Sequence, residues 1–276
     1  MKHLLVVISD LHVGSTVGLS PREFPLDDGG YYSASPAQMW LLDRWEEFWY
    51  KVKKYKKRNT HLTVIVNGDI VEGYAGKFRN NQVASNSPET MEIVASNLLK
   101  PVRKLADKMF FIRGTPTHVK SGAGAEDLVA RAIGADKIND RASAIHATFN
   151  IGGLRVQCAH HLGSAGGRLP WTRGTGVRSA ALRYWANHVE RDETPADIII
   201  RSHVHIFDDT PSSLPVYACS TPAWCLANEF ALKVGAQNEP LSTVGGLLFH
   251  IQKNELQPWV LEKLFYEAPA DRDVLI

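Results

Sequence analysis

The chain is poor in cysteine. Only Cys158, Cys219 and Cys225 occur among 276 residues. Three thiols cannot all pair, and none share the CxxC spacing of a structural zinc site, so a reduced, cytoplasmic setting is expected. Long apolar runs are missing too. No stretch approaches the roughly 20 residues a membrane-spanning helix needs. The opening MKHLLVVISD is too short for a signal-peptide core with a cleavage site. An excess of one charge is also absent: 31 Lys and Arg stand against 29 Asp and Glu, a formal charge of +2. No global field therefore demands nucleic acid or a membrane as partner. Repeats, low-complexity tracts and a convincing linker are lacking as well, which predicts one domain over residues 1–276.

Histidine is plentiful, with 11 copies, and its placement follows the secondary structure. HLLVVISD is an apolar run ending in polar residues, as in a strand buried on both faces. A polar loop rich in Gly and Pro runs from Gly14 to about Ser35. SPAQMWLLDRWEEFWYKVKKYKKRN then reads as a helix, with Ser35 as N-cap and Pro36 in the first turn. HLTVIVNGD is a second strand. SPETMEIVASNLLKPVRKLADK repeats the Ser-Pro helix start, and Pro101 is expected to kink or split it. KMFFI is a third strand, and AEDLVARAIGA a short helix stopping near Gly134. AIHATFNIGGLRVQCAHH reads as two strands about a Gly-Gly turn. A helix over VRSAALRYWANHVERD, strands in ADIIIRSHVH and LPVYACST, and a C-terminal hairpin complete the pattern. Strands alternating with helices and then closing antiparallel predict an α/β sandwich.

Chemistry collects where these strands end. The first delivers Asp10 and His12, the second Asp69 and Glu72, and the third RGTPTH with Arg113 and His118. Later strands end in His160–His161 and in His203 and His205. Ligands gather where buried strands terminate. Residues two apart on a strand share a face, so Asp10 with His12, and His203 with His205, could each serve one point. Mixed His and Asp donors suit manganese, iron, zinc or nickel better than magnesium or calcium. A lone DxH or HxH motif signals little; five strand ends in order point to a metal centre. GRLPWTRGTGVRSAALR adds Arg168, Arg173, Arg178 and Arg183, a basic loop that could line a substrate groove, with Arg173 the leading contact. His3, His61, His146, His188 and His250 lie outside this frame and read as structural.

The order DxH, GDxxE, RG…H, H, HxH resembles that of the calcineurin-like metallophosphoesterases, from Met1 to about Asp209. The resemblance implies a four-layer sandwich of two mixed sheets flanked by helices, with two divalent metals at the strand ends, manganese first among the candidates. By motif, Asp10, His12 and His205 would hold one ion. Asp69 would bridge, and His203 with His160, or His161 if the register shifts by one, would hold the other. It also implies hydrolysis of a phosphate ester by a hydroxide shared between the metals, with His118 as general acid and Arg113 contacting phosphate. A phosphodiester in DNA, RNA or a nucleotide is the expected substrate. A protein phosphatase, or a non-catalytic module keeping the fold, is the alternative. Two departures stand out. Ser202 replaces the glycine of the last motif, and the family's GNH loop reads GTPTH here, a form similar to that of phage and prophage members. The metal-binding asparagine is missing. Thr115 takes its place counted from Gly114, and Thr117 counted from His118. Glu126 could supply the lost donor.

Overall fold

The computed structural model describes residues 2–73, 82–85, 87–115, 124–162, 174–227, 243–252 and 257–268. The parallel strands β1 (Lys2–Ile8), β4 (Thr60–Asn67) and β5 (Lys108–Ile112) form one side of a five-stranded sheet. Its other side is the antiparallel pair β10 (Val244–Ile251) and β11 (Trp259–Tyr266), giving the order β11-β10-β1-β4-β5. A second mixed sheet has the order β6 (His146–Ile151), β7 (Leu154–Ala159), β8 (Ile198–Arg201), β9 (Tyr217–Ser220). Alternation along β1 explains how both faces are used. Leu4, Val6 and Ile8 pack toward the helices, whereas Leu5 and Val7 pack against Val156, Cys158 and Ile200 of the second sheet. Successive side chains of a strand point to opposite faces, so a run buried throughout needs a layer on each side.

Helices α1 (Pro36–Tyr55), α2 (Pro88–Leu105) and α3 (Ala125–Ala132) share a core with the outer face of the first sheet. Helix α4 (Thr175–Glu190) places Val177 and Ala181 against Ile199 and Ala218 on the outer face of the second. The result is a four-layer αββα sandwich, as the strand and helix pattern predicts. Helix α1 starts as expected. Ser35 accepts from the Gln38 N–H, and the Gln38 side chain accepts in return from the Ser35 N–H, which satisfies two otherwise orphaned donors. Two expectations need correction. Helix α2 is not split, since it continues through Pro101; Asn97 and Pro101 both lie on its exposed side, where water can solvate the carbonyl that the missing N–H leaves free. The segment expected to be one long loop contains a hairpin, β2 (Glu23–Pro25) with β3 (Tyr31–Ser33). Its Phe24 and Tyr32 rings pack 5.0 Å apart, an apolar signal too short to stand out in a polar stretch.

Candidate metal centre

The strands stop before the chemistry begins. β1 ends at Ile8 and β4 at Asn67, yet their chains stay bonded beyond that point. The Asp10 N–H donates to the Gly68 carbonyl (3.0 Å) and the His12 N–H to that of Asp69 (3.1 Å). This keeps the Asp10 and Asp69 carboxylates side by side. The Asp10 carbonyl accepts from the Trp224 N–H (3.0 Å), and the fully buried Trp224 ring meets Trp45 and Phe48 of α1 edge-on. Helix packing therefore anchors the loop that carries Asp10.

Two groups of donors result. Asp10, His12 and His205 form one; Asp69, His160 and His203 form the other. In the first, His205 Nε2 lies 3.2 Å from both Asp10 Oδ1 and His12 Nε2. In the second, His160 Nε2 is 3.0 Å and His203 Nδ1 3.9 Å from Asp69 Oδ2. Asp10 Oδ1 also lies 3.9 Å from His160 Nε2, which links the groups. Their backbone is unusual. Asp10, His12, Asp69, His203 and His205 all have positive φ, between 45° and 77°. Left-handed backbone is uncommon for residues with a Cβ and persists where the surroundings impose it, most often at functional sites. It also corrects the strand-face argument. These pairs sit in turns past the strand ends, and His203 and His205 serve different groups.

Other side chains orient the donors. Glu72 Oε2 lies 2.8 Å from His12 Nδ1, and the Asn67 carbonyl lies 2.6 Å from His160 Nδ1. Each contact directs the opposite ring nitrogen, Nε2, into the cluster. Ser9 Oγ donates to Asp10 Oδ2 (2.5 Å). Asn67, fully buried, donates to Ser202 Oγ (2.6 Å) and the Ala159 carbonyl (3.1 Å), tying the two sheets together beneath the site. Ser202 thus has a use that glycine could not serve. The sequence reading names Ser202 only as a departure from glycine and passes over Ser9 and Asn67, although the polar residues closing VVISD and VIVNGD are the trace of those two.

The variant loop enters the second group through Thr115. Its N–H donates to Asp69 Oδ1 (2.5 Å) and its hydroxyl to Asp69 Oδ2 (3.0 Å). The hydroxyl also lies 3.2 Å from His203 Nδ1. Of the histidine pair, His160 is buried and carries the donor, whereas His161 is exposed and its ring packs on those of His160 and His203. The Arg113 guanidinium binds Ser143 Oγ (2.9 Å) and Asp127 Oδ2 (3.2 Å), a pairing with the protein's own carboxylate. Glu126 is buried in α3, with Oε2 unpartnered among the described residues, and lies outside both donor groups. His118, Thr117, Arg168 and Arg173 lie outside the described residues.

Carboxylates and imidazoles shift one another strongly here. Burial opposes ionisation of Asp10, yet His205 and then His160 hold its carboxyl at about 2. Burial opposes protonation of His160, but Asp10 and Asp69 outweigh it and raise the imidazole to about 9. Burial lifts Glu126 to about 7, with Asp69 adding to the effect. Asp10 Oδ1 is buried and has no hydrogen-bond partner among the described residues, although imidazole nitrogens crowd around it. An orphaned carboxylate oxygen amid imidazoles fits a divalent transition metal, whose ligands are carboxylate oxygen and neutral imidazole nitrogen. His203 and His205 keep 44% and 21% of their side chains exposed, so the centre opens to solvent on that side.

No protein-family model matches the chain, and no curated protein matches it. Among solved structures the chain is similar to Vps29 from Chaetomium thermophilum, with a TM-score of 0.43, 10% identity, and coverage of 97% of this chain and 98% of that one. It is similar to an archaeal phosphodiesterase, with a TM-score of 0.40, 10% identity, and coverage of 95% and 99%. A third is the 5'-nucleotidase precursor from Thermus thermophilus, with a TM-score of 0.42, 14% identity, and coverage of 96% of this chain and 54% of that one. Likeness of this degree carries no functional argument, and the chemistry is drawn from the side chains.

Proposed function

We propose that the chain is a metal-dependent phosphoesterase of the calcineurin-like type, carried by one domain over residues 1–276 and acting in the cytoplasm. The observation that carries this reading is the pair of adjoining donor groups, joined at the orphaned Asp10 Oδ1 and built on left-handed backbone. Asp10, His12 and His205 would hold one ion, and Asp69, His160 and His203 the other, with manganese the first candidate. Bound there, two such ions supply an acidified water and neutralise charge on a phosphoryl group.

The protein's own groups do the rest. Glu72 and the Asn67 carbonyl hold the rings of His12 and His160 in one orientation. The Thr115 N–H and hydroxyl hold the Asp69 carboxylate, so GTPTH is a working variant in which threonine positions Asp69. His118 is the group we assign to protonate the leaving oxygen. Arg173 is assigned to substrate contact. Arg113 could take the same role only by exchanging its Asp127 partner for phosphate. A phosphodiester, in nucleic acid or a nucleotide, is the substrate class. No helix of the described residues is long and apolar enough to cross a membrane.

The test combines binding with turnover. Protein loaded with manganese and desalted should retain about two ions per chain and hydrolyse bis(p-nitrophenyl) phosphate; Asp69→Asn should retain about one ion and lose the hydrolysis. His118→Ala should slow esters with poor leaving groups far more than the nitrophenyl ester. Protein that retains no metal refutes the reading and favours a non-catalytic module.

A further inference from the structure

A cavity of about 1030 Å³ opens between the two sheets, where β5 and β6 are their last strands and residues 136–144 run hydrogen-bonded along β5. It is separate from the donor groups but not remote from them. Its lining runs from His3 and His61, near the starts of β1 and β4, to Arg113, beside the Gly114–Thr115 turn that holds Asp69. Four cations line it, Lys108, Arg113, Lys137 and Arg141, and none of its described lining residues is acidic. Two of the four are already neutralised: Lys108 by Asp136 at 2.7 Å and Arg113 by Asp127 at 3.2 Å. Lys137 and Arg141 are exposed, and neither has an ion pair among the described residues. His61 keeps a buried Nδ1 without a hydrogen-bond partner among the described residues.

The remaining walls are apolar and aromatic. Half-buried Phe110 and Phe149 face each other with ring centroids 4.9 Å apart. Ile145 leaves 70% of its surface in water. Unpaired cations beside aromatic and aliphatic faces form a surface that takes phosphates and bases together. The volume reaches the upper end of what drug-sized ligands occupy. The cavity is an open cleft along a strand edge, which suits an extended ligand.

We propose that this cleft binds a single strand of nucleic acid, its phosphates on Lys137 and Arg141 and its bases against Phe110, Phe149 and Ile145, and leads it past Arg113 toward the donor groups. The cleft's binding role stands on its own; that the bound strand is the substrate rests on the phosphoesterase reading.

The experiment is a titration of the full chain, kept in chelator, against a fluorescein-labelled oligothymidylate of about 12 nucleotides, followed by anisotropy at several salt concentrations. Wild type should bind, and the double variant Lys137→Glu/Arg141→Glu should bind about tenfold or more weakly. The slope of log affinity against log salt should shrink by about 1.4, the value for two lost contacts to a single strand. Both side chains are exposed, so an unchanged melting temperature will separate lost binding from lost fold. Wild type that fails to bind at low salt, or a variant that binds as wild type does, overturns the proposal. Thymidine monophosphate that displaces the oligonucleotide at equal concentration overturns it in favour of a mononucleotide pocket. Hydrolysis plays no part here, so failure of this proposal and failure of the phosphoesterase reading are told apart.

Discussion

Replacing Gly114 with alanine tests how the site is built. Gly114 needs no left-handed backbone; it is glycine because of space. A Cβ there would sit 2.0 Å from Asp69 Oδ1 and 2.3 Å from the Asp69 backbone nitrogen, where ordinary contact begins at 3.4 Å. The methyl therefore needs about 1.4 Å of room, which the Asp69 turn and the Gly114 segment can yield only by moving apart, since contacts this short are strongly repulsive. A shift of that size breaks the Thr115 N–H and hydroxyl bonds to the Asp69 carboxylate, now 2.5 and 3.0 Å. Overpacking costs about 1–3 kcal/mol, and each hydrogen bond to a charged group contributes roughly 1.5–3 kcal/mol. With partial relaxation the expected loss is about 3 kcal/mol, or a melting temperature lower by about 6–12 °C in a chain of this size. The Asp69 group should fail first, because Thr115 binds its carboxylate directly, whereas Asp10 and His12 meet that turn only through backbone bonds to Gly68 and Asp69. Thermal melts in chelator and manganese retained per chain are the assays, with uptake falling from about two ions to about one. A variant melting within about 2 °C of wild type and keeping both ions would show that this close approach does not hold Asp69 in place.

Two further predictions follow from the electrostatics. His160 is raised to about 9 in the folded chain against about 6.5 unfolded, so its contribution to the metal-free protein is complete below about pH 6.5 and lost as pH rises through about 9. Melts in chelator should therefore fall between pH 7 and 10. Manganese must displace that proton, so its affinity should rise about tenfold per pH unit from 7 to 9, and calorimetry in buffers of different ionisation enthalpy should show release of about one proton at pH 7. No proton release at pH 7 would refute the assignment. Glu72→Gln keeps the shape but removes the charge that faces His12 Nδ1 at 2.8 Å. It should weaken metal binding at the Asp10 group by about 10- to 100-fold and spare the Asp69 group, as two resolved binding steps would show.

Several elements were legible because their signals are local. Ser35 and Pro36 announce the start of α1 within two residues. Gly152 and Gly153, both with positive φ, announce the β6–β7 turn. The continuous apolar runs of β1, β4 and β8 declare strands buried on both faces. The donors themselves were legible as polar residues closing those runs. Their geometry was not. Spacing two apart implied one strand face, whereas the structure gives left-handed turns that send His203 and His205 to separate groups. The β2–β3 hairpin escaped because strands of three residues carry too little periodicity to read.

What the amino-acid sequence determined by itself is the inventory: buried strands, capped helices, and a carboxylate or histidine at strand end after strand end. Those follow from side-chain chemistry and periods of a few residues. What only the tertiary structure decided is the convergence. Asp10 and His205 are 195 positions apart in the chain, yet two of their atoms lie 3.2 Å from each other. Asn67 fastens one sheet to the other under them, and the cleft lies where the last strands of the two sheets, β5 and β6, come side by side. Distances of that kind are set by packing two sheets through a shared core, which the local order of residues does not encode.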